Sequence, residues 1–174
     1  MSTVYEAIKK RFSTRGYTGE KLTDDELKQV IDAGLAAPTA ANKQELHFTV
    51  IPGDHPVLQE IEDEKNRSRG PAAKNFYYDA PTVIIISGDE SFGWSALDAG
   101  IAAQNIVLAA EDLGLGSLII GCIKDAMLGE KKAYFNEKLQ IPEGYGYQIA
   151  IALGHTALGK EPHSYDAARQ VSCL

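Results

Sequence analysis

Cysteine, methionine and tryptophan are scarce in this chain of 174 residues, with two, two and one copies respectively. The two cysteines, Cys122 and Cys173, stand far apart, in neither a CxxC nor a metal-ligand spacing. They read as free thiols of a reducing cytoplasm rather than as a disulfide. No apolar run approaches the roughly 18 residues that a spanning helix needs, so no membrane segment is expected. The N-terminus lacks the positive-then-apolar layout of a signal peptide. Positive charge is in deficit too: 17 Lys and Arg face 24 Asp and Glu, for a net charge of -7. That balance argues against a nucleic-acid partner, which wants a basic face. Walker, GxSxG and HExxH sequences are absent, as are repeats and low-complexity tracts. The four histidines are scattered and give no reason to expect a metal site.

What is present suits a globular protein of one domain over residues 1–174, large enough for a real core. Val4, Ile8 and Phe12, four apart, predict a short helix over 3–12. "TDDELKQVIDAGLAAP" is the clearest helix. Thr23 and Glu26 form a capping box, Asp24 and Asp25 suit the positive end of the dipole, and Pro38 ends it. Residues 47–52 read as a strand. A helix over Pro56–Lys65 follows, with a flexible "NRSRGPAAK" behind it. The branched run at 82–86 is typical of a strand buried on both faces. Residues 95–113 are apolar nearly all round, which demands burial on all sides. Either a partner subunit covers one side, or the helix is central to a single subunit. A strand at 117–121, a helix at 126–139 and a strand at 147–154 complete the chain. This alternation gives an α+β or layered α/β architecture. Gly114 and Gly116 follow a helix and precede a strand, the reverse of a dinucleotide loop, so they read as a helix cap.

Against the net negative charge, "KKRFSTRGY" at 9–17 gathers Lys9, Lys10, Arg11 and Arg15. In an extended chain Arg11, Ser13 and Arg15 point to one side. Two guanidinium groups and a hydroxyl suit a phosphate. A solvated basic turn accounts for the same residues. In "APTAANKQELHF" at 37–48, small residues let a backbone approach a flat ligand. The amides of Asn42 and Gln44 match a ring edge bearing both donors and acceptors. No nucleophile or acid–base pair accompanies these two stretches. The combination fits a protein whose chemistry is carried by a bound phosphorylated cofactor.

Together these segments resemble the nitroreductase family of flavin enzymes. "RFSTR" at 11–15 resembles that family's Arg-x-Ser-x-Arg/Lys signature, and "APTAANKQELHFTVI" its stretch after the second helix. "DAGIAAQNIVLAAEDLGLGSLIIG" at 98–121 is similar to its central helix and following turn, and "IALGH" at 151–155 to the end of its last core strand. The resemblance implies FMN, reduced by NADH or NADPH, in a three-layer α/β/α fold: a mixed central sheet flanked by helices, in an intertwined homodimer with two composite sites. The acceptor would be a small molecule such as a nitroaromatic, a quinone or an enone. A specialised flavin reaction such as reductive dehalogenation, or flavin binding without turnover, are the alternatives.

By that resemblance Arg11 and Ser13 would hold the FMN phosphate, with Phe12 contributing only its backbone. Arg15 would lie by the pyrimidine edge, where a positive charge favours the negatively charged reduced form. Pro38, Thr39 and Ala40 would come from the other subunit, with Asn42 close by. Ile120 and Gly121 would place backbone groups near the ring. Glu45 and Leu46 replace the family's usual Pro-Trp. Lys160, with Arg169 as the alternative, is the candidate for a further cation on the phosphate.

Overall fold

The computed structural model describes residues 3–162 and 164–173; His163, one of the four scattered histidines, lies outside them. Four strands, β1 (Leu46–Pro52), β2 (Thr82–Asp89), β3 (Leu115–Ile120) and β4 (Tyr145–His155), form a sheet in the order β1-β2-β4-β3. All three pairings are antiparallel. The parallel component of the expected mixed sheet is an isolated bridge between Ser13 and Ser117.

Alternation along the strands builds two cores, because successive side chains point to opposite faces. In β2, Val83 and Ile85 enter one core and Ile84 and Ile86 the other. In β4, Ala150 and Ala152 face the first, Ile151 and Leu153 the second. The first core is closed by α3 (Pro56–Arg69), α5 (Lys124–Leu128) and α6 (Lys132–Lys138), through Leu58, Ile61, Met127 and Phe135. The second is closed by α2 (Asp24–Leu35) and α4 (Ser95–Asp112), through Val30, Ala103, Ile106 and Val107. With helices on both faces the architecture is a three-layer α+β fold. Gly34 lets α2 lie close on α4: a Cβ there would stand 2.8 Å from Cδ1 of Ile106.

Both halves of the Thr23–Glu26 capping box are present. The same device, Thr3 with Glu6, opens α1 (Val4–Lys10). The apolar stripe of α1 turns away from its own chain: Val4 is 73% exposed, and Ala7 is the buried residue of the helix. α4 keeps the length the sequence predicts, but one side is open, with Leu97 57% exposed and Gly100 and Gln104 also exposed. Gly114, at φ 75 after the C-cap Leu113, ends the helix as expected.

Gly116, read with Gly114 as a helix cap, lies instead inside β3. Beyond shifts of a few residues at element ends, two further elements differ from the sequence reading. α3 continues through half of the expected flexible stretch and stops only at Gly70 (φ 75). The irregular chain beyond is tied down by buried Glu62, which pairs with Lys65 at 2.6 Å and accepts the Phe76 N–H at 2.9 Å. The helix expected over 126–139 is two helices, because the chain bends at Gly129. A Cβ there would meet the Asp125 carbonyl oxygen at 2.6 Å.

The β2–β4 pairing also carries a bulge. Ile86 opposes Ile149 but Ser87 opposes Tyr147, which leaves Gln148 as the extra residue.

Candidate functional site

The basic stretch begins where α1 ends. The Arg11 N–H closes the helix on the Ala7 carbonyl at 3.0 Å, and the chain then runs out along the edge of β3. The Thr14 N–H donates to the Ser117 carbonyl at 2.9 Å. This approach needs Gly116, because a Cβ there would stand 2.8 Å from both Cγ2 and Oγ1 of Thr14. Tyr17 anchors the far end, donating to the Thr14 carbonyl at 3.3 Å and the Ala152 carbonyl at 3.4 Å. Burial pushes the Tyr17 phenol well above its ordinary value, with Arg15 pulling the other way, so it stays a neutral donor.

Thr14 is fully buried, which by alternation leaves Ser13 and Arg15 on the outer side. Arg11, Phe12, Ser13 and Arg15 line a cavity of about 280 Å³, closed by the tail residues Lys160, Glu161 and Pro162. Arg15 also lies over the Tyr78 ring, 5.9 Å from its centroid, and donates to the Ser13 carbonyl at 3.4 Å. Among the described residues none of Arg11, Arg15 and Lys160 is in an ion pair. Three cations therefore converge on one cavity that Glu161 also lines, with the Glu111 carboxylate close enough to feel Arg11 and sharing an adjoining cavity with Lys160. Arg169 sits on the short α7 (Ala167–Gln170) and does not line this cavity.

The second stretch leaves α2 through Pro38 and Thr39 into a 3-10 turn, Ala40–Asn42. The Ala40 N–H donates to Oδ2 of Asp98 at 2.9 Å, and Oγ1 of Thr39 accepts the Gln44 N–H at 3.0 Å. The Gln44 amide donates to Oδ1 of Asn42 at 3.3 Å. These bonds hold an unusual backbone: Ala41, Asn42 and Gln44 have φ of 54, 53 and 52. Left-handed residues other than glycine cost about 1–3 kcal/mol each, and such strain clusters at ligand-binding segments. Thr39, Gln44, Leu35 and Phe48 border a cavity of about 330 Å³ beside the turn. Glu45 is buried, and neither carboxylate oxygen finds a hydrogen-bond partner among the described residues.

Within one chain the two stretches are not brought together. Ala40 is bonded to Asp98 in the first turn of α4, whereas Lys10 and Phe12 share a cavity with Glu111 in its last. At about 1.5 Å per residue, about 20 Å of helix axis lies between Asp98 and Glu111. Ile120 and Gly121, by contrast, lie on the same edge as the basic stretch, at the end of the strand that Ser13 bridges. Ile120 is buried and its carbonyl accepts the Tyr147 hydroxyl at 2.8 Å; Gly121 is exposed.

Sequence reasoning missed Thr14, Tyr17, Tyr78 and Tyr147. The alternation of "RFSTR" already marked Thr14 as opposite to Ser13, and its inward side chain was legible there. Tyr78 and Tyr147 carried no local signal, because a loop and a bulge place them.

This arrangement of sheet and helices has known counterparts. The model of the nitroreductase family matches residues 8–155, and the chain belongs to that family. A protein of Methanothermobacter thermautotrophicus, provisionally named an NADH dehydrogenase/NAD(P)H nitroreductase, is 32% identical over 160 residues, covering 88% of this chain and 78% of its own. An FMN reductase (NAD(P)H) of Bacillus subtilis is 27% identical over 179 residues, covering 90% of this chain and 67% of its own. The crystal structure of a nitroreductase with bound FMN from Desulfitobacterium hafniense superposes with a TM-score of 0.88 at 26% identity, covering 100% of this chain and 99% of that one.

Proposed function

We propose that the protein is a cytoplasmic, homodimeric FMN-dependent oxidoreductase. It would take electrons from NADH or NADPH and deliver them to a small acceptor such as a nitroaromatic, a quinone or an enone. The observation that carries this reading is the convergence of Arg11, Arg15 and Lys160, none of them in an ion pair among the described residues, on one cavity beside the Ser13 hydroxyl. That donor set fits a phosphate monoester, with the planar forks of arginine suited to its oxygens. Bound FMN would supply the two-electron chemistry.

The chain's own residues would bind and orient. Arg11, Ser13, Lys160 and the Phe12 backbone would hold the phosphate. Arg15, on the same strand edge, would hold its charge toward the ring. The strained turn with Pro38, Thr39, Ala40 and Asn42 would approach the ring from a second chain. Ile120 and Gly121 would offer peptide groups to it. The two-chain site is supported by the separation along α4, which puts the two stretches at opposite ends of that helix within one chain. It is supported too by the apolar surface left open on α1 and α4: Val4, Tyr5, Ile8 and Leu97 are all exposed. Between these helices lies a cavity of about 460 Å³ lined in part by Val4, Ala36, Leu108 and Ala109. A homodimer that covers this face would also bury the open side of α4.

Complementation between two variants tests the reading. Arg11→Ala weakens the phosphate site and Thr39→Trp fills the ring pocket, so each homodimer loses most FMN and activity. After unfolding and refolding together, one site of each mixed dimer receives both lesions and the other receives neither. Tight FMN and NAD(P)H oxidation then return in up to half the sites of the mixed dimers. No recovery, with mixed dimers verified by tag pull-down, rules out the shared site. A wild-type protein that binds no FMN rules out the cofactor.

A further inference from the structure

The carbonyl of Ile120 is held by a side chain that reaches it only because β4 is irregular. In the regular part of β4, Ala150 and Ala152 face the first core and Ile151 and Leu153 the second. Continued without interruption, that alternation puts Tyr147 on the side of Ile149, which packs against the second core. The extra residue Gln148 reverses it, and Tyr147 enters the first core at 2% exposure. Bulges re-aim single side chains in this way, often beside functional sites. From its new side the Tyr147 hydroxyl donates to the Ile120 carbonyl at 2.8 Å, across 27 residues of sequence.

We propose that Tyr147 is a positioning residue that locks the Ile120–Gly121 peptide with the Gly121 N–H turned to the open side of the site. The geometry of the peptide carries this. A trans peptide points its C=O and N–H in opposite directions, and no cis bond occurs among the described residues. With the Ile120 oxygen held inward by Tyr147, the Gly121 N–H is directed outward. Gly121 itself is exposed, and a Cβ built on it would find nothing within 4 Å, so the chain is uncrowded at this residue. The hydroxyl is a dependable donor. Burial raises the phenol well above its ordinary value, with Cys122 adding to the effect and the Ala150 backbone opposing it. A glycine peptide following a strand otherwise rotates readily, because glycine is permissive on both sides of φ. A donor directed at a cofactor is useful only if it is already oriented before the reaction begins.

The proposal rests on the reading that Ile120 and Gly121 face the FMN ring, and its test has an arm that does not. Tyr147→Phe keeps the ring that fills the core and removes only the hydroxyl. Tyr134→Phe, which removes a surface hydroxyl bonded to Glu60, is the control. In the FMN-free protein, the residual dipolar coupling of the Gly121 N–H reports the peptide's orientation relative to β3. In Tyr147→Phe it shrinks toward zero, while Leu118 and Ile119 keep theirs. Couplings identical to wild type overturn the lock whether or not FMN binds. In the FMN-loaded protein, kcat falls roughly ten- to a hundredfold, as small misplacements near a reacting group do. The flavin midpoint potential shifts with it, while the FMN Kd stays within about threefold because the phosphate is held elsewhere. Unchanged kcat and potential, with the Gly121 coupling altered, overturn the functional part. A wild type without FMN overturns the cofactor reading and leaves the lock to be judged by the coupling.

Discussion

Replacing Gly116 by alanine strikes the point where the basic stretch meets the sheet. The added Cβ would stand 2.8 Å from Cγ2 and from Oγ1 of Thr14, and 2.8 Å from Cγ2 of Thr156, where ordinary contact begins at 3.4 Å. Neither threonine can swing clear. Thr14 is fully buried, and Oγ1 of Thr156 donates to the Gly16 carbonyl at 2.8 Å while accepting the Leu158 N–H at 3.1 Å. The strain therefore passes to the backbone of residues 13–16, which must lift from β3. Overpacking of this kind costs about 1–3 kcal/mol. Losing the Thr14 N–H bond to Ser117 adds about 0.5–1.5 kcal/mol. Against a total stability of about 5–15 kcal/mol the variant still folds. Arg11, Ser13 and Arg15 ride on the displaced strand, so FMN affinity falls together with stability. Urea unfolding of the FMN-free protein measures the first effect, and quenching of FMN fluorescence the second. Gly93→Ala, where a Cβ meets nothing within 4 Å, is the reference. A Gly116→Ala protein with the wild-type urea midpoint and FMN Kd would show that the close approach does not hold the phosphate site in place.

Arg11→Ala and Lys160→Ala should each weaken FMN by roughly 10- to 150-fold, the worth of one charged hydrogen bond at about 1.5–3 kcal/mol, while Arg169→Ala leaves it unchanged. Fluorescence titration decides, and equal Kd values for wild type and Lys160→Ala would remove the tail from the site. Glu26 is held below its ordinary carboxylate value, first by the Thr23 backbone N–H, with His155 assisting and burial opposing. Its folded value lies below the unfolded one, so its contribution is full above the unfolded value of 4.5 and is lost as pH falls through the lowered folded value. Glu26→Gln should therefore be less stable than wild type at neutral pH, and the two urea-midpoint curves should converge as pH drops from about 6 to about 3; curves that stay parallel would contradict the assignment.

Much of the fold was legible because it depends on local pattern. The capping box at Thr23, the branched run of β2 and the apolar length of α4 each follow from period and propensity. The boundaries that slipped have local physical causes that only three-dimensional contact reveals. Gly129 breaks one predicted helix in two because its backbone passes the Asp125 carbonyl. α3 outlasts its apolar pattern because Glu62, Lys65 and Phe76 tie its far end to the loop that follows. The cation cluster was legible as composition, and the tail residue Lys160 only as one of two alternatives. What no window of sequence displays is the effect of one inserted residue in a strand. Gln148 changes the face of Tyr147 without leaving any mark on hydrophobic period, because its neighbours are apolar on both faces.

The placement of the two stretches at opposite ends of α4 has a thermodynamic consequence for the proposed site. If one cofactor must be gripped by the start of this helix from one copy and by its end from another, association and cofactor affinity are a single linked quantity. Each bound FMN would then tighten the pair, and by reciprocity each dissociation into single copies would release both cofactors. Retention of flavin on dilution would depend on protein concentration as well as on flavin concentration. A protein of this design would lose its colour as it falls apart, at total concentrations where a site within one chain would remain full.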